Sequence, residues 1–128
     1  MRYVFNANYW FSILYNMLGH HDQAYKAIKE MEIILDQKEH SFSEINFHTA
    51  ELMCSEQKMV TLFLLGSYNQ AKVVAQTHFD YPHRRIGRSE NAAQYIISKC
   101  NGNESEILEH PEYERQFNDI VNGVRLWL

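Results

Sequence analysis

Seven histidines are the first side chains to weigh for chemistry in this 128-residue sequence. His20-His21-Asp22 contains the adjacent His-Asp pair used by metal-dependent phosphohydrolases, and His78, Asp80 and His83 are spaced so that their side chains can converge on one ion. Neither group completes a site. A hydrolase of that kind needs further His and Asp ligands on other helices, and a structural zinc site takes four ligands, whereas no cysteine lies near His78 in sequence. Structural roles account for both groups: Asp22 stands where a helix start calls for a capping side chain, and His78 where a helix end favours a cation. The Glu-x-x-His spacing of a di-iron bundle does not occur, since His48 precedes Glu51 and Glu109 adjoins His110. Cys54 and Cys100 have no C-x-x-C spacing and read as reduced thiols of a cytoplasmic protein; a single bridge between them is the other arrangement the sequence permits. Glycine-rich phosphate loops are absent. The chain therefore reads as non-enzymatic, with neither metal nor cofactor, and a metal-dependent hydrolase using the His-Asp clusters stands as the alternative.

Binding chemistry has three candidate stretches. Arg84-Arg85-x-x-Arg88, flanked by Tyr81 and His83, has the composition of an RNA or phosphate contact. The formal net charge of −4 weighs against nucleic acid, and the same arginines can pair instead with Glu104, Glu106, Glu109, Glu112 and Glu114. That acidic stretch is in turn a surface able to steer a basic protein toward contact. Near the N-terminus, Tyr3, Phe5, Tyr9, Trp10, Phe11 and Tyr15 supply either core or the aromatic anchors typical of interfaces. The residues expected to meet a partner protein are Tyr9, Trp10, Tyr68, Glu106, Glu109, Glu112 and Glu114, and apolar residues at both ends of the chain also allow self-association.

The elements that must position these residues are helices. With only two prolines and five glycines, the composition suits long helices rather than a turn-rich sandwich. Leu18-Gly19-His20-His21-Asp22-Gln23-Ala24 returns 47 residues later as Leu65-Gly66-Ser67-Tyr68-Asn69-Gln70-Ala71. In both, glycine closes one helix, Asp or Asn is placed to cap the next, and alanine permits close backbone approach: the join of a helical hairpin. The patterning predicts helices over 8–18, 22–38, from 43 toward 65, 69–78, from Ser89 to Asn101, 104–109, and from Pro111 to the C-terminus. Trp10, Phe11, Ile13, Leu14, Met17 and Leu18 occupy most of the first helix, which must be buried or covered. Ser41-Phe42-Ser43-Glu44 reads as a capping box for the third, where Cys54-Ser55-Glu56-Gln57-Lys58 is polar enough to allow a break. Tyr113, Phe117, Ile120, Val121, Val124 and Trp127 form one stripe on the last.

Gly19 with Ala24, and Gly66 with Ala71, resemble the signature at the join between the two helices of a tetratricopeptide repeat, with Tyr68 at a typical aromatic position. Residues 6–78 carry the resemblance. It implies a right-handed array of hairpins whose concave side binds peptides or proteins. The expected organisation is one all-α domain over 1–128 of six or seven helices: a first hairpin at 6–38, a second at 43–79 and C-terminal helices at 89–128. The first polar interruptions, Asn6, Asn8, Ser12 and Asn16, make the N-terminal stretch a poor signal peptide or membrane span. The expected function is protein–protein interaction with a basic partner and no membrane, one specific form being a small acidic inhibitor or immunity protein.

Overall fold

The computed structural model describes residues 2–37, 42–82 and 89–124, and among them the chain is all-α. Seven helices follow in order: α1 (Arg2–Met17), α2 (His21–Asp36), α3 (Glu44–Leu64), α4 (Tyr68–Phe79), α5 (Glu90–Cys100), α6 (Glu104–Glu109) and α7 (Pro111–Val121). Consecutive helices pack as hairpins, most extensively α1 with α2, α3 with α4 and α4 with α5, while α7 returns onto α5.

The repeated phrase builds the same joint twice. Gly19 has φ +79° and Gly66 φ +82°, the left-handed region that L side chains avoid. Around each, two backbone bonds close the helix: His20 N–H donates to Tyr15 O at 2.8 Å and Ser67 N–H to Leu62 O at 2.9 Å, with the glycine N–H reaching Asn16 O or Phe63 O. The capping expectation needs correction. The N-cap residues are His20 and Ser67, neither using its side chain, and Asp22 lies inside the first turn, where its charge favours the helix N-terminus. For α3 the cap is Ser43, whose Oγ accepts from Asn46 N–H at 3.3 Å; Ser41 lies outside the described residues.

Helix α3 is the spine. It runs unbroken for 21 residues, about 31 Å, through the stretch expected to allow a bend. Its first half, with Ala50 and Cys54, shares a core with Phe5, Tyr9 and Ile13 of α1 and Ile28, Met31 and Ile34 of α2. Its second half, with Met59, Val60 and Leu62, joins Ala71, Ala75, Ala92, Ala93, Tyr95, Ile96, Phe117 and Ile120 from α4, α5 and α7. Phe63 ties that second cluster together, its ring 5.3 Å from those of both Tyr68 and Phe117 and 5.9 Å from Tyr95.

The polar residues at the middle of α3 do not break it because each has a partner on another helix. Tyr9 donates to Glu56 Oε1 at 3.1 Å and Asn16 Nδ2 to Thr61 Oγ1 at 2.8 Å, while Ser12 Oγ, 2.6 Å from Tyr9 O, lies 3.3 Å from Gln57 Oε1, all buried. His21 Nδ1, 2.9 Å from Asn16 Oδ1, extends the row to α2. The offsets of 47, 45 and 45 residues stay nearly constant, the mark of two helices running parallel and in step. Hence α1 turns its Ser12 and Asn16 side inward, and Trp10, Phe11, Leu14, Met17 and Leu18, expected to be covered, are exposed; only Ile13 of that group is buried.

The C-terminal stripe is half realised. Phe117 and Ile120 are buried, whereas α7 stops at Val121, Val124 is exposed, and Trp127 lies outside the described residues. Thr61→Val, nearly isosteric, leaves the Asn16 amide without its acceptor and is expected to cost about 1–3 kcal/mol. Ser43→Ala, at an exposed cap, should cost about 1 kcal/mol. Urea unfolding of both variants measures the difference, and a Thr61→Val cost below that of the cap would show that the buried row contributes little.

Candidate functional site

A cleft of about 460 Å³ opens between α2, α3 and α4. Helix α2 supplies Glu32, Leu35 and Asp36, helix α3 supplies Phe47, Glu51, Cys54, Ser55 and Lys58, and helix α4 closes it with Val73, Val74 and Thr77. Positions 47, 51, 54, 55 and 58 recur at three- and four-residue spacing, so they share one face of α3, away from Phe63 and the α7 side.

The charges in this cleft are unequally matched. Lys58 Nζ binds Glu32 Oε2 at 2.7 Å and Lys29 Nζ binds Glu32 Oε1 at 3.1 Å. Burial raises the Glu32 carboxyl, but hydrogen bonds and charge from Lys58 and Lys29 outweigh it, holding the group below its ordinary value. Glu51 accepts from the Tyr81 hydroxyl and lies 3.5 Å from His48 Nδ1, itself 2.9 Å from that hydroxyl. Burial, then the Glu51 carboxylate, pushes the Tyr81 phenol well above its usual range. Asp36 has no hydrogen bond or ion pair among the described residues and stands in the last turn of α2, which carries no basic residue.

Two groups here invite a catalytic reading. Ser55 Oγ is 2.5 Å from His78 Nδ1, and His78 Nε2 is 2.5 Å from Ser89 Oγ. The single Ser55 proton can serve Leu52 O at 3.2 Å or His78 Nδ1, and in either tautomer the His78 ring bridges the Ser55 and Ser89 hydroxyls. The buried His78 pins α3, α4 and the start of α5 together, and Ser89, expected to cap α5 with its side chain, does not do so. The Cys54 thiol is pushed up to about 12, first by burial and then by the Glu32 carboxylate, against the pull of Lys58 and Lys29. It is a neutral packing group at physiological pH.

Among the described residues the members of the histidine clusters do not converge. His20 is exposed, His21 bonds Asn16, and Asp80 is exposed and accepts from Gln76 Nε2 at 2.9 Å; His83 lies outside the described residues. Among the described residues no group of three or more His, Cys, Asp or Glu could hold a metal ion, and no helix is long and apolar enough to cross a membrane.

The residues expected to bind a partner are dispersed. Tyr9 is buried and belongs to the core, Trp10 and Tyr68 are exposed, and Tyr68 packs its ring on Phe63. Most of the acidic stretch has internal partners: Glu104 pairs with Lys99 at 3.1 Å, Glu106 accepts from Asn103 Nδ2 at 2.8 Å, Glu112 lies 3.2 Å from His110 Nδ1, and Glu114 accepts from Tyr95 at 3.3 Å. Glu109 is exposed with no such contact among the described residues. Arg84, Arg85 and Arg88 lie outside the described residues, between the anchored Tyr81 and Ser89.

Sequence reasoning missed the cleft. Its signal was present as Phe47, Glu51, Cys54, Ser55 and Lys58 on one helical face, but the same residues looked like an interruption. Two outcomes follow from its chemistry. Iodoacetamide at pH 8 should leave Cys54 unmodified in the folded protein and alkylate it after unfolding, as mass spectrometry of the digested protein would show; rapid labelling of native Cys54 would contradict the burial. Because the folded Glu32 carboxyl is depressed, its contribution is fully present above its ordinary value near 4.5 and disappears as pH falls through the folded value. Lys58→Met, compared with wild type by urea unfolding at pH 7 and pH 3, should therefore cost up to about 1 kcal/mol at pH 7 and less at pH 3; a cost independent of pH would remove the pairing from the account.

Comparison with protein-family models, with curated proteins and with solved structures finds no match to this chain.

Proposed function

We propose that the chain is a non-enzymatic protein-binding module of tetratricopeptide-like hairpins, with the outer face of α1 as its contact surface. The observation that carries this reading is the exposure of Tyr3, Val4, Trp10, Phe11, Leu14, Met17 and Leu18. At 100° per residue these positions fall within one broad sector of the helix, opposite the buried Phe5, Tyr9, Ser12, Ile13 and Asn16. Tyr3 is 86% exposed, Phe11 49% and Trp10 44%, which leaves roughly 350 Å² of aromatic surface in water, taking about 200 Å² for each side chain. The aliphatic neighbours carry the sum beyond the few hundred Å² that a soluble monomer ordinarily shows, and patches of that size mark interaction sites. From Tyr3 to Leu18 there is no Asp, Glu, Lys or Arg, so the contact is apolar, with Trp and Tyr as anchors. The negative charge of the whole chain favours a basic partner, as an acidic inhibitor requires.

The test is capture. Immobilised protein should retain one partner at near-equal stoichiometry through a wash at about 1 M salt, because apolar contact is not screened as charge is. Trp10→Asp with Leu14→Asp should abolish retention while leaving the unfolding midpoint within about 0.5 kcal/mol, as expected for exposed positions. Retention by the double variant, or failure of wild type to retain any protein, would defeat the reading.

A further inference from the structure

We propose that the cleft between α2, α3 and α4 is a second binding site, which takes a basic segment of a protein, its Lys or Arg side chain directed to Asp36 and Glu51. The proposal rests on the reading of the chain as a protein-binding module but uses a different surface and does not need the α1 face. Charge complementarity identifies the occupant. Three carboxylates, Glu32, Asp36 and Glu51, line the cleft against one ammonium, Lys58, and that ammonium is engaged with Glu32 at 2.7 Å. Lys29 adds a second cation to the same Glu32, at 3.1 Å. Asp36 is left without a cation among the described residues, and Glu51 has the Tyr81 hydroxyl and the His48 ring beside it but no Lys or Arg among them.

The backbone reinforces the imbalance. Asp36 is the last residue of α2, so its carboxylate adds to the partial negative charge of that helix's terminal carbonyls, where a cation is favoured. A ligand ammonium or guanidinium at this end relieves both. The remaining lining suits the rest of a peptide. Leu35, Phe47, Val73 and Val74 form apolar walls for a neighbouring side chain, with Val73 65% exposed, and Ser55 and Thr77 complete the lining with their hydroxyls turned to Leu52 O and His78, and to Val73 O. At about 460 Å³ the volume falls within the range of pockets that enclose a small ligand, enough for two or three side chains.

Among the described residues, no helix other than α2, α3 and α4 lines this site. Helix α7 touches α5, the end of α1 and, through Phe117, Phe63 of α3, covering the side opposite the cleft.

The test uses fluorescence polarisation with the full chain and three labelled hexapeptides: Arg alternating with Leu, Lys alternating with Leu, and Glu alternating with Leu. The expected result is binding of one or both basic peptides, none of the acidic one, and weakening of tenfold or more in two separate variants. Asp36→Lys inverts the charge at the end of α2; Val73→Trp fills the apolar wall without changing charge. Both positions are exposed, and urea unfolding checks that each variant stays folded. Binding that either variant leaves unchanged overturns the proposal, since it would reflect charge alone or a surface elsewhere, and so does failure of both basic peptides to bind wild type. Trp10→Asp with Leu14→Asp, which removes the α1 face, should bind the peptide as wild type does, so loss of partner capture and loss of peptide binding report separately on the two surfaces.

Discussion

The buried hydrogen bonds between α1 and α3 decide which way round α1 docks. A helix apolar on both sides has two nearly equivalent ways to bury itself, and the larger apolar payload of α1 is on the side that faces out. Hydrophobic burial alone would favour turning Trp10, Phe11 and Leu14 inward. In that orientation Glu56, Gln57 and Thr61 of α3 would lose the partners that α1 supplies, keeping the Gln57–Glu56 bond within α3, at about 1–3 kcal/mol for each buried group left unsatisfied. The row through Tyr9, Ser12 and Asn16 removes that penalty and sits at the seam between the two halves of the core, one shared with α1 and α2 and the other with α4, α5 and α7. Orientation of α1, continuity of α3 and union of the two core clusters thus depend on the same few side chains.

What could be read from the sequence was whatever is encoded locally. The two Leu-Gly phrases, the Asn101-Gly102 stop and Pro111 at the start of α7 locate helix ends through the conformational preferences of single residues, and the stripes of α2, α5 and α7 follow from their own periodicity. Features with a distant partner were not legible. Cys54-Ser55-Glu56-Gln57-Lys58 is polar when read alone, and only the presence of Tyr9, Ser12, Glu32 and His78 on neighbouring helices turns it into the most connected part of α3. The cleft escaped notice for the same reason: Asp36 and Glu51 come from different helices. Ser89 illustrates the converse, a residue with the right type and position for a cap whose hydroxyl is instead engaged by His78, 11 residues earlier in the sequence.

Three faces of the array therefore differ in character. One is closed by α7, whose Phe117 packs at 4.8 Å against the Tyr95 ring and completes the aromatic cluster around Phe63. The cleft face joins apolar walls to carboxylates that outnumber its cations among the described residues, and the outer face of α1 is uncharged. A partner engaging α1 gains area without desolvating ions, whereas one engaging the cleft trades hydration of its own cation for contact with carboxylates. Added salt would weaken contact at the cleft and leave contact at α1 largely unscreened.

Gly123 carries a consequence for the order in which the molecule assembles. At φ +73° it turns the chain after α7 so closely over α1 that a Cβ would stand 3.0 Å from Met17 Sδ and 3.3 Å from Ile13 Cγ2. The hairpins themselves close over short loops and can form on the microsecond scale. The contact at Gly123 joins residues more than 100 positions apart, which makes it the pairing with the largest entropy of closure. It belongs to the late events of folding, after α1 and α3 have locked in step, because Met17 and Ile13 are presented correctly only when Asn16 has found Thr61. During synthesis the two hairpins can accordingly be complete while this contact waits for α7 and Gly123 to be made.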